Sequence, residues 1–231
     1  MNASLRVFIR NLFLFPPVTN LVVRLRHFWL RRKLVMHNQS GAVIAYDYSR
    51  KNVERLALKG RPLSIIRPLS AIEAASKNGR VLSIGCRYEE ELFYLWAHGW
   101  ARSNIRGFDL FSYSSWVDAG DMHAMPHPDA SWDIVVCAQT LSYSHFPRGA
   151  ANEISRVLKP GGVVAISVGY YTDAELARME AAGTLIGPRE GRLQTTDAIL
   201  ALFGPKVGTV WFRHDPRPDS NGLCSVIFSL T

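Results

Sequence analysis

Four short apolar runs, each closed by a glycine or a polar turn, constrain what this chain can fold into. Their branched and leucine side chains are typical of buried strands, and helical patterns at 89–98 and 150–158 lie between them. Strands that alternate with helices form a parallel sheet wound by right-handed crossovers. The runs are RVLSIG at 80–85, IRGFDL at 105–110, WDIVVC at 132–137 and VVAISV at 163–168.

The end of the chain follows a different pattern. A helix is predicted over 196–203, and two strands follow it at 207–213 and 223–230. The loop between these strands is rich in Pro, Asp and Gly and does not need a crossover helix, so we expect an antiparallel hairpin at one edge of the sheet. The 231 residues suffice for one such α/β domain with an accessory segment.

The accessory segment is N-terminal, and it carries most of the net charge. The formal charge is +8, and residues 1–46 contain seven Arg and Lys residues but no Asp or Glu. The pattern predicts an amphipathic helix that packs its apolar stripe on the main domain, lies on an anionic membrane surface, or binds a protein or nucleic acid. The stripe consists of Val18, Leu21, Val22, Leu25 and Trp29.

Neither a membrane span nor a secretory signal is expected at the N-terminus, because the apolar stretch there is short and contains Pro16 and Pro17. Residues 37–62 predict a connector with one short helix near 52–58. We therefore divide the chain into a leader and connector at 1–60 and an α/β domain at 61–231. The three scattered cysteines predict neither a disulfide framework nor a metal site, and they fit a reducing cytoplasm.

The segments that carry the strand ends occur in a characteristic order. They read RVLSIGC, GFDL, GDMHAMPHPDASWDIVV and EISRVLKPGGVVAISV. From Arg80 to Val168 this set resembles the class I S-adenosylmethionine-dependent methyltransferases of the type 11 kind. The resemblance implies a Rossmann-like, mostly parallel seven-stranded sheet with a C-terminal antiparallel hairpin, and S-adenosylmethionine as the cofactor.

The resemblance also implies which residues bind the cofactor, namely those that follow each strand. Asp109 would accept hydrogen bonds from the ribose hydroxyls and Asp121 from the adenine amino group; alternatively, these are a turn residue and a loop-stabilising aspartate. The full set is Gly85, Cys86, Arg87 and Glu89 near the methionyl part, Asp109 and Leu110 at the ribose, Asp121 and Met122 at the adenine, and Ala138 and Gln139 on the wall that faces the methyl group.

The first loop departs from the family pattern. The family usually has GCGTG, with an acidic residue two positions before the first glycine, whereas this chain has Ser83 there and lacks two of the glycines. Arg87 would then pair with the cofactor's carboxylate, and Glu89 or Glu90 with its ammonium group. Alternatively, the glutamates at 89–91 simply suit the first turn of a helix.

The stretch between Asp109 and Asp121 is too short for the helix and full strand that the family places there. We expect 111–119 to cross directly. Its aromatic residues Tyr113 and Trp116 would lie either beside the adenine or in the core.

A hydroxyl acceptor must lose a proton during methyl transfer, and His145 and Tyr143 follow the fourth strand closely enough to assist. His123 and Tyr170 are further candidates, although a lone histidine is more often structural. We predict O-methylation of a small-molecule, glycan or lipid-linked acceptor, or alternatively a non-catalytic protein that binds S-adenosylmethionine or acts as a scaffold.

The expected location is the cytoplasm, with a peripheral position at the inner face of the membrane through residues 1–46. Nucleic acid is not an expected partner, because no Asn-Pro-Pro-Tyr type motif follows the fourth strand.

Overall fold

The computed structural model describes residues 3–37, 50–51, 56, 58, 62–186 and 189–231. The short helix predicted at 52–58 falls mostly outside these residues. The helices are α1 (Ala3–Phe13), α2 (Pro16–Leu30), α3 (Leu63–Ser70), α4 (Glu90–Ala97), α5 (Pro147–Val157), α6 (Asp173–Ala181) and α7 (Thr196–Phe203). The strands are β1 (Val35–Met36), β2 (Val81–Ile84), β3 (Ile105–Asp109), β4 (Phe111–Ser112), β5 (Val117–Ala119), β6 (Trp132–Ala138), β7 (Leu158–Tyr170), β8 (Val207–His214) and β9 (Gly222–Leu230).

Seven strands form the central sheet in the order β5-β3-β2-β6-β7-β9-β8. The first five are parallel to one another, and β9 pairs antiparallel with both β7 and β8. The predicted fold class is therefore confirmed, including the C-terminal hairpin. The strand order reverses between β2 and β6, which is the position where an open α/β sheet binds its ligand.

Both faces of the sheet are covered, because alternate strand residues contribute to different apolar cores. On β6, Ile134 and Val136 belong to one core, while Val135 and Cys137 belong to the other. The first core packs against α3 and α4, and the second against α5 and α7. Strands buried on both faces read as continuous apolar runs, which explains the sequence pattern.

The leader forms two helices rather than one, and both pack on α4. Phe13 stacks on Phe93 with ring centroids 5.1 Å apart and meets the edge of Trp96 at 5.2 Å. Val23 of α2 is fully buried. The predicted apolar stripe is divided, because Val22 packs against the first core whereas Leu21, Leu25 and Trp29 are exposed. The stripe therefore packs on the main domain only in part.

The segment 111–119 does not simply cross as predicted, because its last residues, Val117–Ala119, form strand β5 beside β3. It contains the two-residue strand β4, which pairs antiparallel with β1 of the leader, and no helix. Tyr113 and Trp116 are buried in the core, and the Trp116 Nε1–H donates to the Ile105 carbonyl at 2.8 Å. Core packing was therefore the correct alternative for these aromatic residues.

Candidate functional site

The turns after β2, β3 and β5 converge on one cleft at the carboxyl edge of the sheet, beside the point where strand order reverses. Together with its open mouth, the space between its walls amounts to about 610 Å³. The lining residues are Ile84, Gly85, Arg87, Phe108, Asp109, Leu110, Gly120, Asp121, Met122, His123, Thr140, Tyr143 and His145.

Gly85 closes β2 in a conformation that suits glycine. Its φ is +72°, and a Cβ atom there would overlap the side chain of Thr140. Its N–H donates to the Phe108 carbonyl at 2.7 Å, and its own carbonyl accepts from the Thr140 hydroxyl at 3.2 Å. The absence of a side chain therefore lets the loops after β2 and β6 meet at the floor of the cleft.

Arg87 occupies the position where the resembled family has its second glycine, and its backbone keeps a glycine-like conformation. Its φ is +51°, a region that costs a residue with a side chain about 1 kcal/mol. The Arg87 N–H donates to Asp109 Oδ2 at 2.8 Å, and Asp109 Oδ1 accepts from the Phe111 N–H at 3.1 Å. Asp109 therefore fixes the altered loop from the neighbouring strand.

Asp109 retains capacity for a ligand, because an ionised carboxylate accepts about four hydrogen bonds. Burial raises the pKa of this carboxyl, while the Arg87 guanidinium and the backbone N–H groups oppose the rise. Additional donors in the cleft, such as hydroxyl groups, would stabilise the ionised form further.

The missing acidic residue at position 83 has a replacement in space. The Ser83 hydroxyl donates to Glu91 Oε1 at 2.6 Å, and both residues are buried. Burial raises the pKa of Glu91 to about 8. A carboxyl group therefore still lies beside position 83, delivered from α4 instead of from β2.

The other two glutamates at the start of α4 are also buried, so the helix dipole alone does not explain them. Glu89 is fully buried and forms a two-pronged ion pair with Arg26 of α2, with N···O distances of 2.5 and 2.8 Å. The Glu89 N–H also contacts the Tyr113 hydroxyl at 3.3 Å. Glu90 accepts from the Tyr94 hydroxyl at 3.5 Å. Sequence reasoning missed Arg26 because nothing in its local pattern indicates a partner 63 positions away.

A second polar network lies on the side of the cleft where the resemblance predicts the adenine. Asp121 Oδ1 accepts from the His123 N–H at 2.9 Å and lies 2.6 Å from His123 Nδ1. His123 Nε2 lies 2.7 Å from the Ser144 hydroxyl oxygen. With its proton on Nδ1, the ring donates to Asp121 and accepts from Ser144. The exposed His145 ring lies 4.4 Å from the His123 ring, so the loops after β5 and β6 meet here.

Eight of the twelve predicted site residues line this cleft. They are Gly85, Arg87, Asp109, Leu110, Asp121, Met122, Tyr143 and His145. Cys86 packs its sulfur against Gly107, and Glu89 is bound to Arg26. Ala138 is the last residue of β6 and Gln139 follows it, and the neighbouring Thr140 lines the cleft instead of them. Tyr170 lies elsewhere and donates to the Pro218 carbonyl at 3.1 Å.

The donors and acceptors in the cleft suit an adenosyl group. Carboxylates at 109 and 121 lie on its wall with the apolar side chain of Met122, and Gly85 leaves room for close approach to the backbone. The carboxylate of Asp109 suits a ribose diol and that of Asp121 an exocyclic amine. The side chain of Met122 suits the face of an aromatic ring.

Comparisons with known proteins point the same way. Residues 82–166 match the family model described as methyltransferase domain. A segment of 47 residues is 45% identical to "Probable methyltransferase ltbC" of Aspergillus luteorubrus, and it spans 19% of this chain and 16% of that protein.

Solved structures share the fold at low sequence identity. One is the Burkholderia thailandensis 1,6-didemethyltoxoflavin-N1-methyltransferase with bound 1,6-didemethyltoxoflavin and S-adenosylhomocysteine, at 16% identity and a TM-score of 0.54, covering 85% of this chain and 93% of that one. Another is the [4+2]-cyclase SpnF, at 16% identity and a TM-score of 0.51, covering 85% and 87%. The fold is thus shared by a methyltransferase and a cyclase. The match to the methyltransferase-domain model is confined to residues 82–166, the central part of the sheet.

Proposed function

We propose that this protein is an S-adenosylmethionine-dependent methyltransferase that methylates a hydroxyl group on a small-molecule, glycan or lipid-linked acceptor. The observation that carries the proposal is the convergence of Gly85, Asp109 and Asp121 on one cleft at the reversal of strand order. S-adenosylmethionine supplies an electrophilic methyl group on a sulfonium when bound.

The chain's own residues would hold the cofactor in a defined orientation. Asp109 accepts hydrogen bonds from the ribose hydroxyls, Asp121 accepts from the adenine amino group, and Met122 packs on the ring. Gly85 lets the backbone approach the methionyl part, and Arg87 pairs with its carboxylate. Ala138 and Gln139, at the end of β6 beside Thr140, position the wall that faces the methyl group.

Methyl transfer to a hydroxyl group requires alignment of the acceptor, exclusion of water and removal of one proton. His145 is exposed at the cleft and takes that proton as a general base. Tyr143 lies on the same loop, where its hydroxyl orients the acceptor.

Cofactor binding is tested by calorimetry with S-adenosylmethionine and S-adenosylhomocysteine. Both should bind, and Asp109→Asn should weaken binding at least tenfold, because the loss of one ligand bond to a charged group costs about 1.5–3 kcal/mol. Asp118→Asn is the matched control. Asp118 lies on the adjacent strand and pairs with Arg106, outside the cleft, so affinity should stay within about twofold. Absence of binding at millimolar ligand would overturn the proposal.

Turnover is tested by release of S-adenosylhomocysteine in the presence of pooled hydroxyl-bearing acceptors. His145→Ala should lower kcat about 10²- to 10⁴-fold with unchanged cofactor affinity. His214→Ala, at an exposed histidine on β8, should leave kcat unchanged. An unaffected kcat in His145→Ala would remove this residue from the reaction.

A non-catalytic protein that binds S-adenosylmethionine is the second candidate. It is favoured by the first loop, where Glu89 is committed to Arg26 and Arg87 replaces a family glycine. Binding of both ligands without any turnover would support this alternative.

A further inference from the structure

The leader exposes an unusual amount of apolar surface. In the part of the chain that the structure describes, eleven of the fourteen large hydrophobic residues with exposed side chains belong to residues 5–36. Surface apolar residues are usually scattered singly, whereas clustered ones indicate a binding surface. The eleven are Leu5, Val7, Phe8, Leu12, Phe15, Leu21, Leu25, Phe28, Trp29, Val35 and Met36.

Helix α2 has two apolar faces, and only one of them contacts the domain. Its inner face buries Thr19 and Val23 and directs Arg26 to Glu89. Its outer face presents Leu21 and Leu25 one turn apart, followed by the aromatic pair Phe28 and Trp29. In α1, Leu5, Phe8 and Leu12 repeat at the same helical spacing. We call these exposed residues of α1 and α2 the outer face.

The leader's cations divide in the same way. Arg26 binds Glu89, and Arg10 donates to the Trp100 carbonyl at 3.3 Å and lies over the Trp96 ring. These two arginines hold the leader on the domain. The remaining five are exposed, namely Arg6, Arg24, Arg31, Arg32 and Lys33.

We propose that the outer face docks on an anionic lipid bilayer, with α1 and α2 lying in the plane of its interface. Exposed aliphatic and aromatic residues flanked by cations are the pattern of interfacial helices, and the charge is complementary to anionic headgroups. None of the described helices is long and apolar enough to cross a membrane.

Other occupants fit this surface less well. A second copy would bring two sets of five exposed cations together, with no acidic residue in 1–46 to offset them. Nucleic acid would use the cations but would leave Leu5, Leu12 and Leu21 in water. An anionic bilayer buries the apolar side chains and also pairs its headgroups with the cations.

The docked leader would bring the cleft to the membrane surface. Its last described segment pairs β1 with β4, and the His37 N–H donates to the carbonyl of Leu110, a residue of the cleft wall, at 2.9 Å. A lipid-linked acceptor would therefore reach the cleft from the bilayer. This consequence rests on the proposed function, whereas docking itself does not.

Docking is tested by sedimentation of the full chain with vesicles. Vesicles of phosphatidylcholine with equimolar phosphatidylglycerol should bind it, and phosphatidylcholine alone should bind it much less. Leu21→Ser/Leu25→Ser/Trp29→Ser should weaken partitioning at least tenfold. Arg24→Gln/Arg31→Gln/Arg32→Gln should weaken it about a hundredfold at low salt, and this difference should shrink at high salt.

Matched controls replace exposed residues away from the leader. Val210→Ser, and the triple variant Arg148→Gln/Lys206→Gln/Arg217→Gln, should bind vesicles nearly as the parent does. Calorimetry with S-adenosylmethionine on every variant separates the two proposals, because leader variants should keep cofactor affinity. No binding to anionic vesicles would overturn docking, as would a stable dimer that the serine variants dissociate.

Discussion

The Ser83 hydroxyl of β2 donates a 2.6 Å hydrogen bond to the carboxyl of Glu91 on α4, and both residues are buried. Ser83 is where the resembled family has an acidic side chain, so the carboxyl group has moved from the strand to the next helix. The departure in the sequence is thereby largely compensated in space. It also places a titratable group in the core.

Glu91→Gln should therefore change how stability depends on pH. The pKa of Glu91 rises from 4.5 to about 8 through burial, so between these values the folded state holds a proton that the unfolded state has released. The wild type loses stability as pH rises through this window, by up to about 1.4 kcal/mol per unit, and levels off above it. The glutamine variant lacks this loss while its side chain still accepts from Ser83.

Urea unfolding at pH 5.5, 7 and 8.5 measures the difference, which should grow in favour of Glu91→Gln. Glu180→Gln, at an exposed glutamate of α6, should run parallel to the wild type. If the unfolding free energy of both variants followed that of the wild type with a constant offset at all three pH values, Glu91 would be ionised over this pH range.

Gly85→Ala should cost about 2–4 kcal/mol of unfolding free energy and most of the cofactor affinity. The new methyl group overlaps Thr140, and φ of +72° strains any side chain. Gly183→Ala is the matched control, because its φ is +61° with nothing within 4 Å of an added Cβ. It should cost only about 1 kcal/mol. Equal losses of unfolding free energy at the two sites would mean that the Thr140 side chain moves aside without cost.

The Arg26–Glu89 pair should behave as a coupled unit. Arg26→Gln leaves Glu89 buried without its guanidinium and should cost about 2 kcal/mol, less than for a fully buried pair because Arg26 is 32% exposed. Glu89→Gln in the same chain should recover part of this loss. Arg24→Gln, at an exposed arginine of the same helix, should cost almost nothing. Additive losses in the double-mutant cycle would contradict the coupling.

Arg87→Gly should stabilise the fold by about 1 kcal/mol, because it relieves a left-handed backbone. It should also weaken binding of S-adenosylmethionine by removing the guanidinium. Ala130→Gly relieves a similar conformation, with φ of +47°, away from the cleft. Ala130→Gly should raise the unfolding temperature and leave the affinity for S-adenosylmethionine unchanged. Comparison of the two variants therefore distinguishes relief of backbone strain from loss of a ligand contact. Unchanged affinity in Arg87→Gly would exclude a role for the side chain.

The sequence predicted six strands of the central sheet because strands such as those of Val135 and Ile166 are buried on both faces, which leaves unbroken apolar runs. The three-residue strand β5 was not predicted. Helix α3 went unpredicted because Pro68 lies inside it. Helix α1 also went unpredicted, although its apolar residues Leu5, Phe8 and Leu12 recur at helical spacing.

The cleft was predictable at the positions that directly follow strands, such as Asp109, because the parallel topology fixes where those residues lie. The contacts of Glu89 and Glu91 were not, because their partners are chosen by packing between distant segments. A run of three glutamates predicts the solvent-exposed first turn of a helix. Only the fold shows that Arg26 contacts Glu89 and that Ser83 contacts Glu91.

The short pairing of β1 with β4 makes the leader a structural part of the rim of the cleft. Val35 and Met36 form the ladder with Ser112 and Phe111, three and two positions beyond Asp109. Deleting the N-terminal segment would strip a partner from this edge and leave Glu89 with an uncompensated charge. A truncated protein that fails to bind ligand would thus report damage to the pocket itself, and point substitutions are the sound way to study membrane attachment here.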